Sequence, residues 1–132
     1  MNRIHKIETK NAPKAVGPYS QGVLVGPFLF ISGQIPLDPE TGKVTDQTIQ
    51  GQTSRVFKNL EAILQAAGLS FKEVVRVEVF LKNMGDFKEM NAIYAEQFNF
   101  PIKPARQTVE VSRLPMDVLI EISCIAISDK EK

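Results

Sequence analysis

Two side chains near the end of the chain have the chemistry to bind and hydrate a small organic acid. Glu121 stands alone in the apolar run 118–125, where a carboxylate loses hydration and needs a partner or a function. Its neighbours favour burial, and a buried carboxylate of raised proton affinity is suited to activating water. Arg106 follows Lys103-Pro104-Ala105 and presents a planar guanidinium that matches a carboxylate. Taken alone, Glu121 is also compatible with a solvated sheet edge, and Arg106 with a surface salt bridge.

Five further residues lie where they could contact a ligand. They are Tyr19, Ser32, Gly33, Asn91 and Thr108. Gly33 follows a predicted strand, where a glycine lets a ligand approach the backbone, and Thr108 projects to the same strand face as Arg106. An ordinary turn, packing contact or solvated position explains each of them equally well by itself.

The composition excludes several kinds of active site. The chain has one histidine, His5, and one cysteine, Cys124, so it cannot supply a zinc ligand set or a Cys-His or Ser-His-Asp nucleophile system. It also lacks the glycine-rich motifs that bind nucleotide phosphates. We therefore expect no metal and no cofactor. Any activity must come from carboxylates, arginine, hydroxyls and backbone amides.

Size and charge narrow the class of protein. A chain of 132 residues with 43% hydrophobic content predicts a single domain over residues 1–132 with one core. Lysine and arginine number 16 against 15 acidic residues, a net charge of +1, which gives no reason to expect nucleic acid or an anionic membrane as a partner. One cysteine, no secretory signal and no bilayer-spanning apolar run predict a soluble cytoplasmic protein.

The strands that must position these residues follow from alternating apolar side chains. They are predicted at Ile4–Glu8, Tyr19–Val25, Phe28–Ser32, Val74–Lys82, Arg106–Val111 and Val118–Ile127. A tight Gly26-Pro27 turn is expected to join the second and third strands as a hairpin. In the fourth strand, Val75, Val77, Val79 and Leu81 are predicted to share one face.

Two amphipathic helices are indicated by apolar residues at spacings of three and four. The first covers Ile49 to Ala67, with Thr48 as its N-cap and Gly68 supplying the positive φ that ends it. The second is predicted to begin at Asp86, as a capping residue, and to stop near Phe98.

The order β-β-β-α-β-α-β-β predicts an α+β fold with a mixed sheet and both helices packed on one face. Valine and isoleucine occur on both faces of the strands, so we expect the uncovered face to be buried against other subunits in an obligate homo-oligomer. If the last two strands are neighbours, Arg106 and Glu121 line one cleft.

Five short segments together resemble a known family. They are Gly17–Gly22 (GPYSQG), Ile31–Pro36 (ISGQIP), Ala66–Leu69 (AAGL), Pro104–Arg106 (PAR) and Val118–Ile122 (VLIEI). These motifs resemble the RidA family, also called YjgF/YER057c/UK114, and the resemblance covers essentially the whole chain. It implies a chorismate-mutase-like fold of the bacillus type, assembled as a homotrimer with ligand sites in the clefts between subunits.

The resemblance also implies an activity without a cofactor, the hydrolytic deamination of reactive 2-imino and 2-enamino acids to 2-oxo acids and ammonia. The substrates it implies are 2-iminobutanoate and 2-iminopropanoate. Arg106 would hold the substrate carboxylate, and Glu121 would position or activate the attacking water. The remaining contacts would come from Gly33, Tyr19, Ser32, Asn91 and Thr108. One fixed cation and one general base are the minimum equipment for adding water to an imine beside a carboxylate.

One departure from the family and two alternative functions stay open. Gln107 and Thr108 stand where many members have serine and then cysteine, which leaves the substrate preference open. A non-enzymatic small-acid sensor or partner-binding trimer is the first alternative, although it has little use for a buried base such as Glu121. An RNA-cleaving translation inhibitor is the second, and the near-neutral charge disfavours it.

Overall fold

Two helices pack on one face of a six-stranded mixed sheet in the computed structural model, which describes residues 3–128. The strands are β1 (Ile4–Ile7), β2 (Gly22–Val25), β3 (Phe28–Gln34), β4 (Val74–Leu81), β5 (Ala105–Glu110) and β6 (Ile120–Ile127), and the helices are α1 (Ile49–Ala66) and α2 (Phe87–Gln97). The predicted α+β class and element order are confirmed.

The last strand occupies the middle of the sheet. The strand order is β1-β2-β3-β6-β4-β5, with β6 antiparallel to both β3 and β4 and with β5 parallel to β4 at the edge. The last two strands are therefore not neighbours, and the condition under which Arg106 and Glu121 would line one cleft is not met within this sheet. A helical crossover through α2 returns the chain to the open side of β4, and the parallel pair β4–β5 forms there. The chain then returns to the other side of β4 to form β6.

Alternation along β6 separates a buried face from a half-buried one. Ile120, Ile122, Cys124 and Ala126 are buried on the helix side, whereas the residues between them are half-buried on the other side. Since side chains of a strand point alternately to opposite faces, this pattern assigns one face to the core and leaves the other without a helix.

The core beneath the helices contains an aromatic cluster. It consists of Phe57, Phe71, Tyr94 and Phe98, whose contacting ring centroids are 4.7 to 6.0 Å apart. Tilted and edge-to-face pairs at such distances are the favoured arrangements of aromatic rings. The cluster ties α1 to α2 and so fixes the helix that faces β5.

The uncovered face of the sheet exposes large apolar side chains. Phe28, Phe30 and Val75 are each more than 40% exposed, at 43%, 44% and 45%. The two phenylalanines lie side by side on β3, with ring centroids 6.3 Å apart. An apolar patch of this kind on a sheet face is typical of a surface that a partner covers.

Val75 departs from its predicted face. It is exposed, whereas Val74 and Val77 are buried at 5% and 0% exposure. The register between β4 and β6 shifts between Val74 and Arg76. An extra residue in one strand reverses the alternation, so the side chain after Val74 turns to the uncovered face.

The first helix has the ends that its sequence predicts, and the second begins differently. Thr48 Oγ1 accepts a hydrogen bond from the Gly51 amide at 3.0 Å, and Gly68 has a φ of +76°. Asp86 makes no side-chain capping bond. A 3-10 turn that Asn83 caps leads directly into α2, and it holds Asp86 in a turn conformation from which the predicted side-chain cap does not form.

The Thr48 cap gives a stability prediction. Thr48→Ala removes the acceptor of the Gly51 amide, and we expect the free energy of unfolding to fall by about 1 kcal/mol. Urea unfolding followed by circular dichroism measures this change. Ser54→Ala, on the exposed side of the same helix, is the matched loss of a hydroxyl and should be neutral or slightly stabilising. Equal losses in the two variants would contradict the capping role.

Candidate functional site

Glu121 and Gly33 lie in direct contact across two neighbouring strands. A Cβ atom added to Gly33 would overlap the Oε2 atom of Glu121, so the carboxylate lies against bare backbone. The register between β3 and β6 is irregular between Ile31 and Gln34, and Ser32 and Gly33 lie within this irregularity. A strand irregularity of this kind redirects the backbone locally, and the missing side chain of Gly33 makes room for the carboxylate.

The Glu121 carboxylate is half-buried on the uncovered face of β6. Burial raises the pKa of this carboxyl above its ordinary value of 4.5, and desolvation is the cause. The sequence favoured burial, and the structure shows a partly buried group with a perturbed pKa. Such a carboxyl is suited to general acid–base chemistry nearer to neutral pH than an ordinary glutamate.

Four of the candidate residues line one wide cleft. They are Tyr19, Ser32, Gly33 and Glu121. The cleft has a volume of about 1330 Å³, above the roughly 300–1,000 Å³ of most small-molecule sites, and Tyr19 on its wall is 52% exposed. A small acid bound here would therefore remain open to solvent unless another surface covered the cleft.

A buried glutamine, Gln21, fixes one wall of this cleft. Its side chain is 3% exposed and donates from Nε2 to the carbonyls of Thr9, Ala12 and Pro13. Its Oε1 accepts the Thr9 amide at 2.7 Å. Sequence reasoning missed this residue. The sequence feature that could have identified Gln21 is an amide side chain directly before a strand of small and apolar residues.

The opposite wall depends on a buried asparagine, Asn59, which sequence reasoning also missed. It is fully buried, and its Nδ2 donates to the carbonyls of Ile35 and Leu37 at 3.2 and 3.1 Å. Its Oδ1 accepts two bonds from Arg55. A polar residue within an apolar helical stripe is the signal that identifies such an anchor.

Ser32 supports the cleft through its hydroxyl. The Oγ atom donates to the carbonyl of Ser20 at 2.6 Å, and the backbone amide of Ser32 donates to the carbonyl of Gln21 at 3.0 Å. These two bonds attach the segment that carries Tyr19 to β3. The hydroxyl of Ser32 is thus engaged within the chain, on the wall of the cleft.

Arg106 lies in a separate group with other predicted site residues. Its Nη1 donates to Asn91 Oδ1 at 2.6 Å, and its guanidinium carbon lies 4.5 Å from the Tyr94 ring centroid and 5.4 Å from that of Phe87. Ion pairs within residues 3–128 do not include Arg106. Thr108 shares its strand face, and the buried Thr108 Oγ1 has no hydrogen-bond partner among the described residues. Among residues 3–128, the contacts found for this arginine are therefore with neutral groups.

The two groups lie on opposite faces of the sheet. Arg106 pairs with Val77 of β4, and Glu121 pairs with Phe80 of the same strand. Positions three apart in a regular strand point to opposite faces, so Arg106 lies on the helix side and Glu121 on the uncovered side. Arg106, Asn91 and Thr108 do not line the cleft of Glu121. One chain therefore does not bring the predicted cation and base into one site.

Two features are absent from residues 3–128. None of the helices there is long and apolar enough to cross a membrane. No group of three or more histidine, cysteine, aspartate or glutamate side chains in that range is arranged to hold a metal ion.

Known proteins of similar sequence and structure place the chain in a family. The family described as Endoribonuclease L-PSP matches residues 9–128. A RutC family protein of Pyrococcus horikoshii is 56% identical over 123 residues, which are 93% of this chain and 97% of that protein. Reactive Intermediate Deaminase A, chloroplastic, of Arabidopsis thaliana is 43% identical over 120 residues, which are 91% of this chain and 64% of that protein.

A solved structure agrees with the fold. The crystal structure of E. coli TdcF with bound serine has a TM-score of 0.90 and 41% identity to this chain, and the match covers 95% of this chain and 99% of that one. The resemblance that the sequence motifs carry is confirmed: the chain belongs to the Endoribonuclease L-PSP family, which is the YjgF/RidA family, with its chorismate-mutase-like α+β fold.

Proposed function

We propose that this protein is an imine deaminase, which hydrolyses 2-imino and 2-enamino acids such as 2-iminobutanoate and 2-iminopropanoate to 2-oxo acids and ammonia. The observation that carries the proposal is the neutral surroundings of Arg106, which leave its charge for a ligand carboxylate. Family membership and the 43% identity to a protein named Reactive Intermediate Deaminase A support the same activity.

Arg106 holds the substrate carboxylate in this proposal. A half-buried guanidinium whose described contacts are the Asn91 amide and two rings has lost part of its hydration without gaining an anion, so an added carboxylate is favourable. The unpartnered hydroxyl of Thr108 lies on the same strand face and is placed to supply a further hydrogen bond. Asn91 sets the orientation of the guanidinium.

Glu121 provides the base for hydration. Its carboxylate takes a proton from water as the oxygen attacks the imine carbon, and the C=N double bond becomes a single bond in a carbinolamine. The carboxylic acid returns this proton to the nitrogen, which becomes the amino group of the carbinolamine. The carboxylate then takes the proton of the carbinolamine hydroxyl and passes it to the nitrogen, so that the C–N bond breaks, ammonia leaves and the C=O bond of the 2-oxo acid forms. The raised pKa of Glu121 matches both steps, since the group must accept and release a proton near neutral pH.

A second copy of the chain completes the site. Arg106 and Glu121 point to opposite faces of one sheet, and Phe28, Phe30 and Val75 on the uncovered face are exposed. Covering this face with another subunit removes apolar surface from water and gives the cleft of Glu121 its missing side. We propose a homotrimer with one site at each boundary, in keeping with the family resemblance. Its cytoplasmic location stays a prediction from the sequence.

Binding without turnover is the second candidate function. The related structure of E. coli TdcF contains bound serine, which records a small amino acid bound to a relative and not a reaction. A sensor of small acids would need Arg106 and would not depend on the proton affinity of Glu121. The variants below separate the two functions.

The first test generates 2-aminocrotonate in place with a threonine dehydratase and follows 2-oxobutanoate. The wild type should accelerate its formation. Arg106→Ala should weaken binding of 2-oxobutanoate by about 2 kcal/mol, roughly 30-fold, because charge-assisted hydrogen bonds are lost. Arg113→Ala, which breaks an exposed ion pair with Asp117, is the control and should behave as wild type. No acceleration by the wild type rules out the deaminase, and full activity of Arg106→Ala rules out this role for Arg106.

Glu121→Gln should bind 2-oxobutanoate normally and lose turnover by roughly 10² to 10⁴-fold, the usual contribution of a general base. Wild-type kcat should fall as the pH drops through the raised pKa of Glu121, because the base is then protonated. Wild-type rates in Glu121→Gln would leave binding as the function of the site.

The same substitution predicts a gain in stability. Because burial raises the pKa of Glu121 in the folded state, the folded chain binds this proton more tightly than the unfolded one. The free energy of unfolding therefore falls as the pH rises through the window between the ordinary and the raised pKa. At neutral pH, Glu121→Gln should melt at a higher temperature than wild type, and the exposed control Glu96→Gln should not. A lower melting temperature for Glu121→Gln would contradict the desolvation of this carboxylate.

Mixing two inactive variants tests the shared site. Arg106→Ala and Glu121→Gln, denatured together in equal amounts and refolded, should recover about a quarter of wild-type activity, since random assortment unites an intact Arg106 with an intact Glu121 at one boundary in four. Each variant refolded alone should keep only its low residual activity, and native mass spectrometry should show mixed trimers. Mixed trimers without recovered activity would show that both residues of a site come from one chain.

A further inference from the structure

The guanidinium of Arg106 lies against one face of α2 built from three residues. Phe87, Asn91 and Tyr94 are spaced four and three apart, which places them on the same side of the helix. Asn91 accepts a hydrogen bond from Nη1 at 2.6 Å, and the two rings lie 5.4 and 4.5 Å from the guanidinium carbon. Both rings are within the distance at which a cation is attracted to an aromatic face.

A carboxylate-binding arginine must be held in one orientation without losing its charge, and these contacts meet that requirement. A free arginine side chain samples many rotamers, and a ligand that needs two parallel N–H donors must select one of them. A carboxylate partner would fix the guanidinium and neutralise it as well. A ring face fixes its plane and leaves its charge and its outward N–H groups for a ligand.

Tyr94 is the more firmly held of the two rings. It is 8% exposed, and its ring lies 4.7 Å from Phe98 and 6.0 Å from Phe57, measured between centroids. Its hydroxyl is buried and has no hydrogen-bond partner among the described residues. Burial raises the pKa of Tyr94 despite the opposing effect of Arg106, so the ring remains a neutral phenol. Hydrogen bonding of the hydroxyl therefore does not account for Tyr94 at this position, whereas its ring contacts both the aromatic cluster and the guanidinium of Arg106.

We propose that Tyr94 is a positioning residue, whose ring face orients the guanidinium of Arg106 for a ligand carboxylate, and that its hydroxyl is not needed for this role. The proposal rests on the proposed function of Arg106. It adds a residue on a different element, one that reaches the ligand only through the arginine.

The test compares Tyr94→Leu, Tyr94→Phe and the control Phe98→Leu. Phe98 belongs to the same aromatic cluster and is 2% exposed, so its loss should lower stability as much as the loss of the Tyr94 ring. Binding of 2-oxobutanoate by calorimetry should weaken roughly three- to tenfold in Tyr94→Leu, the range that a partly buried cation–π contact supports. Phe98→Leu should stay within about twofold of wild type. In Tyr94→Phe the ring should restore most of the affinity lost in Tyr94→Leu, and removal of the unpartnered hydroxyl should leave the melting temperature equal or higher.

A spectroscopic measurement tests the same contact without depending on catalysis. The ring current of Tyr94 should shift the proton on Arg106 Nε in the wild type. This shift should persist in Tyr94→Phe and decrease in Tyr94→Leu, where the more distant Phe87 ring remains. In turnover, Tyr94→Leu should raise KM for the imine while kcat changes little.

The outcomes separate this inference from the proposed function. If the wild type binds 2-oxobutanoate, Arg106→Ala weakens the binding as expected and Tyr94→Leu leaves it unchanged, only the role of Tyr94 is wrong. If Tyr94→Phe binds as weakly as Tyr94→Leu, the hydroxyl and not the ring is responsible, and the inference is overturned. If the wild type binds no small acid, the proposed function fails and the role of Tyr94 fails with it.

Discussion

The position of β6 between β3 and β4 is the constraint on which the rest of this structure depends. Alternation along this central strand sends its even-numbered residues into the core and its odd-numbered residues, including Glu121, to the uncovered face. The neighbouring strand β4 continues the same two faces to β5, where Arg106 falls on the helix side. A change of register by one residue would move Glu121 into the core and empty the cleft.

Because of this constraint, the two halves of the candidate site depend on different interactions. Glu121 lies against the bare backbone of Gly33, and its partial desolvation perturbs its proton affinity. Arg106 contacts the amide of Asn91 and two aromatic rings, which do not neutralise its charge. If both groups lay close together in one chain, they would form a salt bridge, which would lower the pKa of the carboxyl and occupy the guanidinium. Their separation on two faces of one sheet leaves the carboxyl without a cation beside it and the guanidinium without an anion, as the proposed function requires.

Local sequence patterns predicted the helices and strands well, but they predicted poorly which strands lie next to each other in the sheet. Within residues 3–128, the six strands and the two α-helices were all predicted, because periodicity and capping residues such as Thr48 act within one element. The pairing of β5 with β4 instead of β6 depends on the crossover through α2, which the alternation of β5 and β6 does not contain. Val75 was assigned to the wrong face because an irregular register reverses alternation without changing composition. The spacing of Asp86 to Glu89 predicts a capping residue, but a 3-10 turn includes Asp86 in the structure.

The same limit applies to the candidate site: its residues could be predicted from local sequence, but their relative placement could not. Arg106 and Glu121 could be selected from the sequence because each is a charge among uncharged or apolar neighbours, a property of single positions. Their placement on opposite faces could not, because it requires the register of two strands with β4. Tyr94 illustrates the remaining difficulty. Its apolar spacing in α2 predicts a core residue, and it is buried. The second role that we propose, positioning Arg106, rests on its 4.5 Å distance to the guanidinium. A residue that acts on a ligand through another side chain leaves no separate mark in the sequence, since packing and positioning favour the same aromatic ring.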